Sequence, residues 1–300
     1  MKKDISIIGV PMALGQTRQG VDLGPNAIFY AGLVEQIKKL QYEIHDVGNI
    51  DIDRPDKKPQ VSENNLRNLE KVVNANAKLA QVVEREVGLN RFPLVLGGDH
   101  SIAIGTLAGL ASHYENLGVI WYDAHGDLNT DKTSPSGNIH GMPLAASLGF
   151  GHPKLTDILT AKPKIKPENV VLIGIRDLDE GEKNLIKELN IKFYTMHEVN
   201  LYGMPRVMEE TISYLKEKTD GVHLSFDLDG INPLEAPGVG TPVKGGISYR
   251  ESQLALTMLS ESKLITSAEF VEVNPMLDVK NQTGKVAVSL IGTLLGEKLL

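Results

Sequence analysis

Four stretches of this sequence join a short apolar run to acidic and histidine residues. Leu96 leads into Gly97-Gly98-Asp99-His100-Ser101, and Tyr122 into Asp123-Ala124-His125-Gly126-Asp127. Phe226 leads into Asp227-Leu228-Asp229-Gly230, and the run around Phe270 into Glu272-Val273-Asn274-Pro275. Asp123, His125 and Asp127 alternate at i, i+2 and i+4, as do Asp227 and Asp229, so a continuing strand path would project each set to one side. With His100 they make four carboxylates and two imidazoles. Brought together in a protein interior, four carboxylates repel one another and lose their hydration unless cations accompany them. Imidazole and carboxylate donors in this proportion suit two hard-to-borderline divalent ions, with Mn2+ the best match. The chain has no cysteine, so thiolate ligands are excluded. Asp99 also fits the pattern of a helix cap after a strand.

For these residues to meet, the apolar runs must be neighbouring strands. Eight β-branched or apolar segments read as strands: Ile5–Val10, Tyr42–Val47, Pro93–Leu96, Gly118–Tyr122, Val170–Ile173, Lys192–Tyr194, Val222–Phe226 and Thr266–Val271. Helical periodicity falls between them at Asn26–Leu40, Ser62–Val87, Ile102–His113, Glu180–Leu189, Pro205–Lys218, Tyr249–Leu259 and Lys285–Leu299. Continuously apolar strands alternating with helices predict a parallel sheet covered on both faces, a three-layer α/β/α fold. Ligands of such sheets bind beyond the carboxyl ends of the strands, where all four clusters fall. No linker divides the chain, so residues 1–300 read as one domain. The polar loop Gly48–Gln60 reads as surface.

Composition narrows the partners. A formal net charge of -7 argues against nucleic acid, which calls for a basic stripe. No apolar run approaches the ~18 residues of a membrane span, and no signal peptide is visible. The expectation is a cytoplasmic protein acting on a small molecule.

Three motifs, Gly97-Gly98-Asp99-His100-Ser101, Trp121-Tyr122-Asp123-Ala124-His125-Gly126-Asp127 and Ser225-Phe226-Asp227-Leu228-Asp229, are accompanied by Pro233, Pro237, Gly238 and Gly246. Together they make the chain resemble the ureohydrolase family, and within it the bacterial arginases, over essentially its full length. The resemblance implies a parallel sheet of about eight strands, two Mn2+ per subunit and hydrolysis of L-arginine to L-ornithine and urea. It assigns one ion to His100, Asp123, Asp127 and Asp227, and the other to His125, Asp123, Asp227 and Asp229, with Asp123, Asp227 and a hydroxide bridging. It makes Glu272 the guanidinium contact, Asp127 the donor of a proton to the leaving amine, and His140 a proton shuttle or substrate contact. Asn129, Ser134 and Ser136 would meet the substrate carboxylate, Asp179 and Glu182 its ammonium, and Thr241 would lie among the substrate-binding residues. The family also implies a homo-oligomer, trimer or hexamer.

The implied chemistry is physically consistent. A guanidinium carbon is a poor electrophile and needs a strong nucleophile, which metal-bound water supplies near neutral pH. Two Mn2+ set against four aspartates, a hydroxide and Glu272 leave a net charge of about -2, which draws in a cation. Neutral donors suit a carboxylate and acids suit an ammonium. The metal motifs are shared with agmatinases and other guanidino hydrolases, so the choice of arginine rests on the second group of residues. A deacetylase-like hydrolase would hold one zinc with fewer ligands. Two positions depart from the family pattern: Pro135 where a hydroxyl residue is common, and Asn232 where Asp usually precedes Pro233.

Overall fold

In the computed structural model, which describes residues 4–53 and 65–298, the apolar segments become eight strands. They are β1 (Ile5–Val10), β2 (Ile44–Asn49), β3 (Phe92–Gly97), β4 (Leu117–Tyr122), β5 (Val170–Ile175), β6 (Lys192–Thr195), β7 (Gly221–Asp227) and β8 (Ile265–Val271). They pair in the order β2-β1-β3-β8-β7-β4-β5-β6, every pair parallel. β3, β8, β7 and β4, the four strands that end in the acidic and histidine clusters, are therefore contiguous at the centre. Interior strands such as β1, β4 and β5 are buried along their whole length, whereas edge strands β2 and β6 are partly exposed and correspondingly more polar.

Among the described residues, eleven helices cover the sheet. They are α1 (Gly24–Tyr30), α2 (Leu33–Lys39), α3 (Leu69–Gly88), α4 (Ala103–Leu110), α5 (Pro143–Ser147), α6 (Pro153–Thr156), α7 (Glu180–Glu188), α8 (Met196–Tyr202), α9 (Met204–Lys216), α10 (Tyr249–Ser262) and α11 (Gln282–Leu294). Strand alternation divides the core in two. Ile5, Ile7, Ile120, Leu224, Phe226 and Phe270 face α1, α2 and α8–α11. Ile8, Val10, Val119, Trp121 and Leu172 face α3–α7. α3 shows the rule locally: Leu69, Val72, Ala75, Leu79 and Val83 recur at helical spacing and are all buried. None of the described helices is long and apolar enough to cross a membrane.

Several boundaries differ from the sequence expectation. Asn26–Leu40 is two helices, because Gly32 takes φ 96 between them. The helix expected from Ser62 begins at Leu69; its first residues, and most of the Gly48–Gln60 loop, lie outside the described residues. Tyr42–Val47 is displaced to Ile44–Asn49, and the helix expected over Lys285–Leu299 runs from Gln282 to Leu294. The short helices α5, α6 and α8 were not expected; each is too short to show a periodic apolar face.

Candidate metal centre

Each strand of the central four delivers its polar residues by turning, not by running on. After β3 the Gly97-Gly98 pair passes against the Met12 backbone, where a Cβ on Gly98 would lie 1.9 Å from the Met12 carbonyl oxygen. Asp99 then caps a 3-10 turn over His100–Ile102 by accepting from Ser101 N, as its position after a strand suggested. That turn swings His100 over the sheet. After β4 the chain leaves the strand path and Asp127 adopts φ 52. Asp229 sits in a 3-10 turn, its amide donating to Asp227 Oδ1 at 2.7 Å. The expected same-side projection along a continuing strand is thus incorrect; tight turns, in which each aspartate accepts an amide two residues on, bring the carboxylates together.

The result is a buried cluster. His100 Nδ1 lies 3.0 Å from Asp123 Oδ2, 3.0 Å from Asp127 Oδ2 and 3.1 Å from Asp227 Oδ2. His125 Nδ1 lies 3.3 Å from Asp123 Oδ1 and 3.2 Å from Asp229 Oδ2. Among the described residues, two groups could each hold a cation: His100, Asp123 and Asp227, and Asp123, His125 and Asp229, with Asp123 common to both.

Electrostatics shows how much this arrangement needs positive charge. Burial, with Asp229 and Asp123 beside it, holds the Asp227 pKa well above the carboxylate range. Burial and Asp123 push Asp127 up to about 6. For His100, burial opposes the charged ring, but Asp123, Asp127 and Asp227 outweigh it and raise the pKa well above the ordinary value. Asp123 moves the other way: His100 and His125 overcome its burial and lower its pKa. The cluster must therefore take up either protons or cations. His100 Nδ1 and Asp127 Oδ2 are buried without a hydrogen-bond partner although they face each other. Such orphaned donor atoms, with the imidazole and carboxylate chemistry around them, fit divalent cations.

A cavity of about 140 Å³ opens onto this cluster. Its wall includes His125, Asp127 and Asp229 as well as Asn129, Ser134, Pro135, Ser136, His140, Asp179, Glu182 and Thr241, so the sequence-selected residues share one space. Asn129 Nδ2 donates to Asp179 Oδ2 at 2.8 Å, and Thr241 Oγ1 to Asp229 Oδ2 at 2.9 Å. Ser134 and Ser136 hydroxyls each accept a loop amide, from Gly137 and Asn138. Asp179 and Glu182 do form a helix-capping box at the start of α7. Both Glu182 oxygens are engaged by the amides of Leu128 and Asp179, and burial lifts its pKa to about 7. Glu182 therefore braces the wall, leaving Asp179 as the more available acid.

Glu272 is only 1% exposed and is not part of the cavity wall. Held at φ 63, it accepts from Gln16 Nε2 at 2.9 Å and the His100 amide at 3.0 Å, and pairs with His140 Nδ1 at 3.2 Å. Burial opposes the His140 charge, but Glu272 more than compensates and raises its pKa. Of the departures from the family pattern, Asn232 caps a turn by accepting Leu234 N at 3.1 Å.

Sequence reasoning passed over Arg176, whose guanidinium donates to the carbonyls of Asp229 (2.7 Å), Val243 (2.9 Å), Gly230 (3.1 Å) and Lys244 (3.2 Å). It clamps the loop that carries Asp229 and Thr241, and nothing in the local sequence announces this long-range role. It also gave no role to Ser225, quoted only as part of a motif, to His223, read as an ordinary histidine, or to Glu269, all fully buried. Here a signal existed: polar residues alternate with apolar ones along β7 and β8, although both strands are central and buried.

Fold and site together define an α/β protein with a carboxylate and imidazole cluster of the kind that takes divalent cations. The Arginase family profile matches residues 3–296. An arginase of Bacillus caldovelox is 67% identical over 298 residues, spanning 99% of this chain and all of that one. An arginase of Bacillus subtilis (strain 168) is 62% identical over the full length of both. The native structure of an arginase from Bacillus caldovelox at pH 5.6 superposes with a TM-score of 0.97 at 67% identity, covering 99% of this chain and 100% of that one. The chain belongs to the Arginase family.

Proposed function

We propose that this chain, acting as one domain over residues 1–300, hydrolyses L-arginine to L-ornithine and urea with two Mn2+ per subunit. The observation that carries the reading is the single cavity lined both by the carboxylate cluster and by Asn129, Ser134, Ser136 and Asp179. Full-length similarity to proteins named arginase supports it.

His100, Asp123, Asp127 and Asp227 would hold one ion, and His125, Asp123, Asp227 and Asp229 the other. When bound, the two ions supply Lewis acidity that lowers the pKa of water towards about 7 and stabilises developing negative charge. Asp127, on the cavity wall beside His100, would pass a proton to the leaving amine. His140 lines the cavity beside Glu272, which raises its pKa, and would act as the proton shuttle or substrate contact. Glu272 stands behind it, adding negative charge on the guanidinium side. Asn129, Ser134 and Ser136 receive the α-carboxylate and Asp179 the α-ammonium, while Glu182 and Thr241 hold Asp179 and Asp229 in place. A homo-oligomer, trimer or hexamer, and a cytoplasmic location complete the proposal. The family resemblance supports both.

The test is urea release from L-arginine and agmatine, side by side, by the Mn2+-loaded protein. A strong preference for arginine, lost on chelation and in Asp229→Ala, is the expected result. Preference for agmatine would overturn the roles of Asn129, Ser134 and Ser136, and urea from neither would overturn the reaction itself.

A further inference from the structure

A line of buried polar residues runs into the core behind His100. On β7, His223, Ser225 and Asp227 alternate with Val222, Leu224 and Phe226. On β8, Ser267 and Glu269 fall in register with His223 and Ser225. Ser225 Oγ donates to Glu269 Oε1 at 2.7 Å and lies 2.8 Å from His100 Nε2. His223 Nε2 stands 3.4 Å from the same Glu269 oxygen, and its Nδ1 is 2.9 Å from Ser267 Oγ. Glu269 is fully buried, a costly place for a carboxylate that only packs.

A hydroxyl has one hydrogen. Ser225 gives its hydrogen to Glu269, so towards His100 it can only accept, and His100 Nε2 must carry the ring proton. In the neutral ring Nδ1 then presents a bare lone pair. That nitrogen lies 3.0–3.1 Å from three carboxylate oxygens and makes no hydrogen bond. Trp121, stacked on the ring at 4.2 Å and 8°, fixes its plane.

We infer that Glu269, acting through Ser225, is a positioning group for His100: it selects the tautomer that aims Nδ1 at the cation site and, as an anion, makes that nitrogen a better donor. The inference rests on the proposed metal centre. His223 packs against the same carboxylate at 3.4 Å and is anchored on its other side by Ser267.

The experiment is equilibrium dialysis of Mn2+ against the parent, Ser225→Ala, Glu269→Gln and the double variant. The parent is expected to bind two ions. Ser225→Ala should weaken one of them by about 10–100-fold and leave the other unchanged, the scale usual for groups that orient a ligand. Glu269→Gln, which keeps the shape and loses the charge, should weaken the same ion to a lesser degree. Because Glu269 acts through Ser225, the double variant should be no weaker than Ser225→Ala alone, a non-additivity that simple loss of packing does not produce. Parental affinity in both single variants, equal weakening of both ions, or additive losses would overturn the relay. A parent that binds no Mn2+ would instead overturn the metal centre, and the relay with it.

Discussion

Stripping divalent ions from this protein should make its stability fall as pH rises, and restoring them should reverse the trend. Asp127 is 5% exposed, and burial with Asp123 beside it moves its pKa from 3.8 to about 6. At pH 7 the ionised carboxylate is therefore disfavoured in the folded state by about 3 kcal/mol relative to the unfolded chain. The sign follows from the direction: a raised folded pKa gives stability that is fully present below the unfolded value and lost as pH climbs through the folded one. Asp227, also raised by burial and its neighbours Asp229 and Asp123, acts in the same direction. So do His100 and His125, whose neighbouring carboxylates overcome burial and raise both pKa values. Asp123 is lowered, and its contribution is lost only in strong acid.

About half of that 3 kcal/mol is lost between pH 5 and pH 8; for a chain of this length roughly 2 °C accompanies each kcal/mol, so Asp127 alone should lower the Tm of the metal-free protein by about 3 °C over this interval. Mn2+ requires deprotonated ligands, so its affinity rises over the same interval. At a free concentration one hundred times Kd, each ion adds about 2.7 kcal/mol. Calorimetric scans of metal-free and Mn2+-loaded protein at pH 5, 6, 7 and 8 should show two Tm curves diverging as pH rises. A metal-free Tm that climbs through this interval would refute the reasoning, because the carboxylates would then ionise together without mutual cost.

Other consequences can be measured separately. Arg176→Lys replaces a fork reaching the carbonyls of Asp229, Gly230, Val243 and Lys244 with a single ammonium; Mn2+ binding measured by dialysis should weaken about 10-fold. His140→Asn removes a titrating group from the cavity wall; kcat should fall about 100-fold or more with a smaller change in KM, and Mn2+ content should be unchanged. Far from the site, Glu86 accepts from Ser6 Oγ at 2.7 Å and Arg91 Nη1 at 2.8 Å. Burial opposes its charge, but Ser6, Arg91 and Arg85 prevail and lower its pKa. Glu86→Gln should cost about 1–3 kcal/mol in urea unfolding at pH 7. The difference should shrink as pH falls through the lowered pKa, where the parent loses the same charge.

The strands and their parallel order of burial were legible because central strands of a covered sheet must be apolar throughout, as β1 and β5 are. Contiguity of β3, β8, β7 and β4 was not: nothing local tells β8 to insert between β3 and β7. The cluster could nevertheless be read, since His100, Asp123, His125, Asp127, Asp227 and Asp229 sit where strands end. The mechanism of their convergence was misread, because a turn at Asp127 with positive φ has no signature when the residue is Asp rather than Gly. Glu272 was legible as a strand-end acid but not as a buried one. In its buried position it accepts from Gln16, 256 positions earlier in the chain.

The same central strands carry opposite duties on their two faces. Tyr122 and Phe226 stack at 4.4 Å, and Phe226 and Phe270 at 5.1 Å, on the face packed against α1, α2 and α8–α11. Ser225 and Asp227, and Glu269 beside them on β8, occupy the other face of those strands. A strand that alternates Phe with Asp cannot slip by one residue without sending the aromatic into the polar line and the carboxylate into the aromatic stack. The register of β7 against β4 and β8 is therefore fixed by the chemistry it serves: Ser225 lies level with Trp121 on one side and Glu269 on the other. The polar line weakens the sheet where it is most buried, and the aromatic stack on the reverse face, worth about 0.5–1.5 kcal/mol per pair beyond its buried area, offsets part of that cost at the same positions. Central placement then follows from physics: only there do two neighbouring strands supply both the low-dielectric surroundings that sharpen the electrostatics of His100 and the packing that tolerates it.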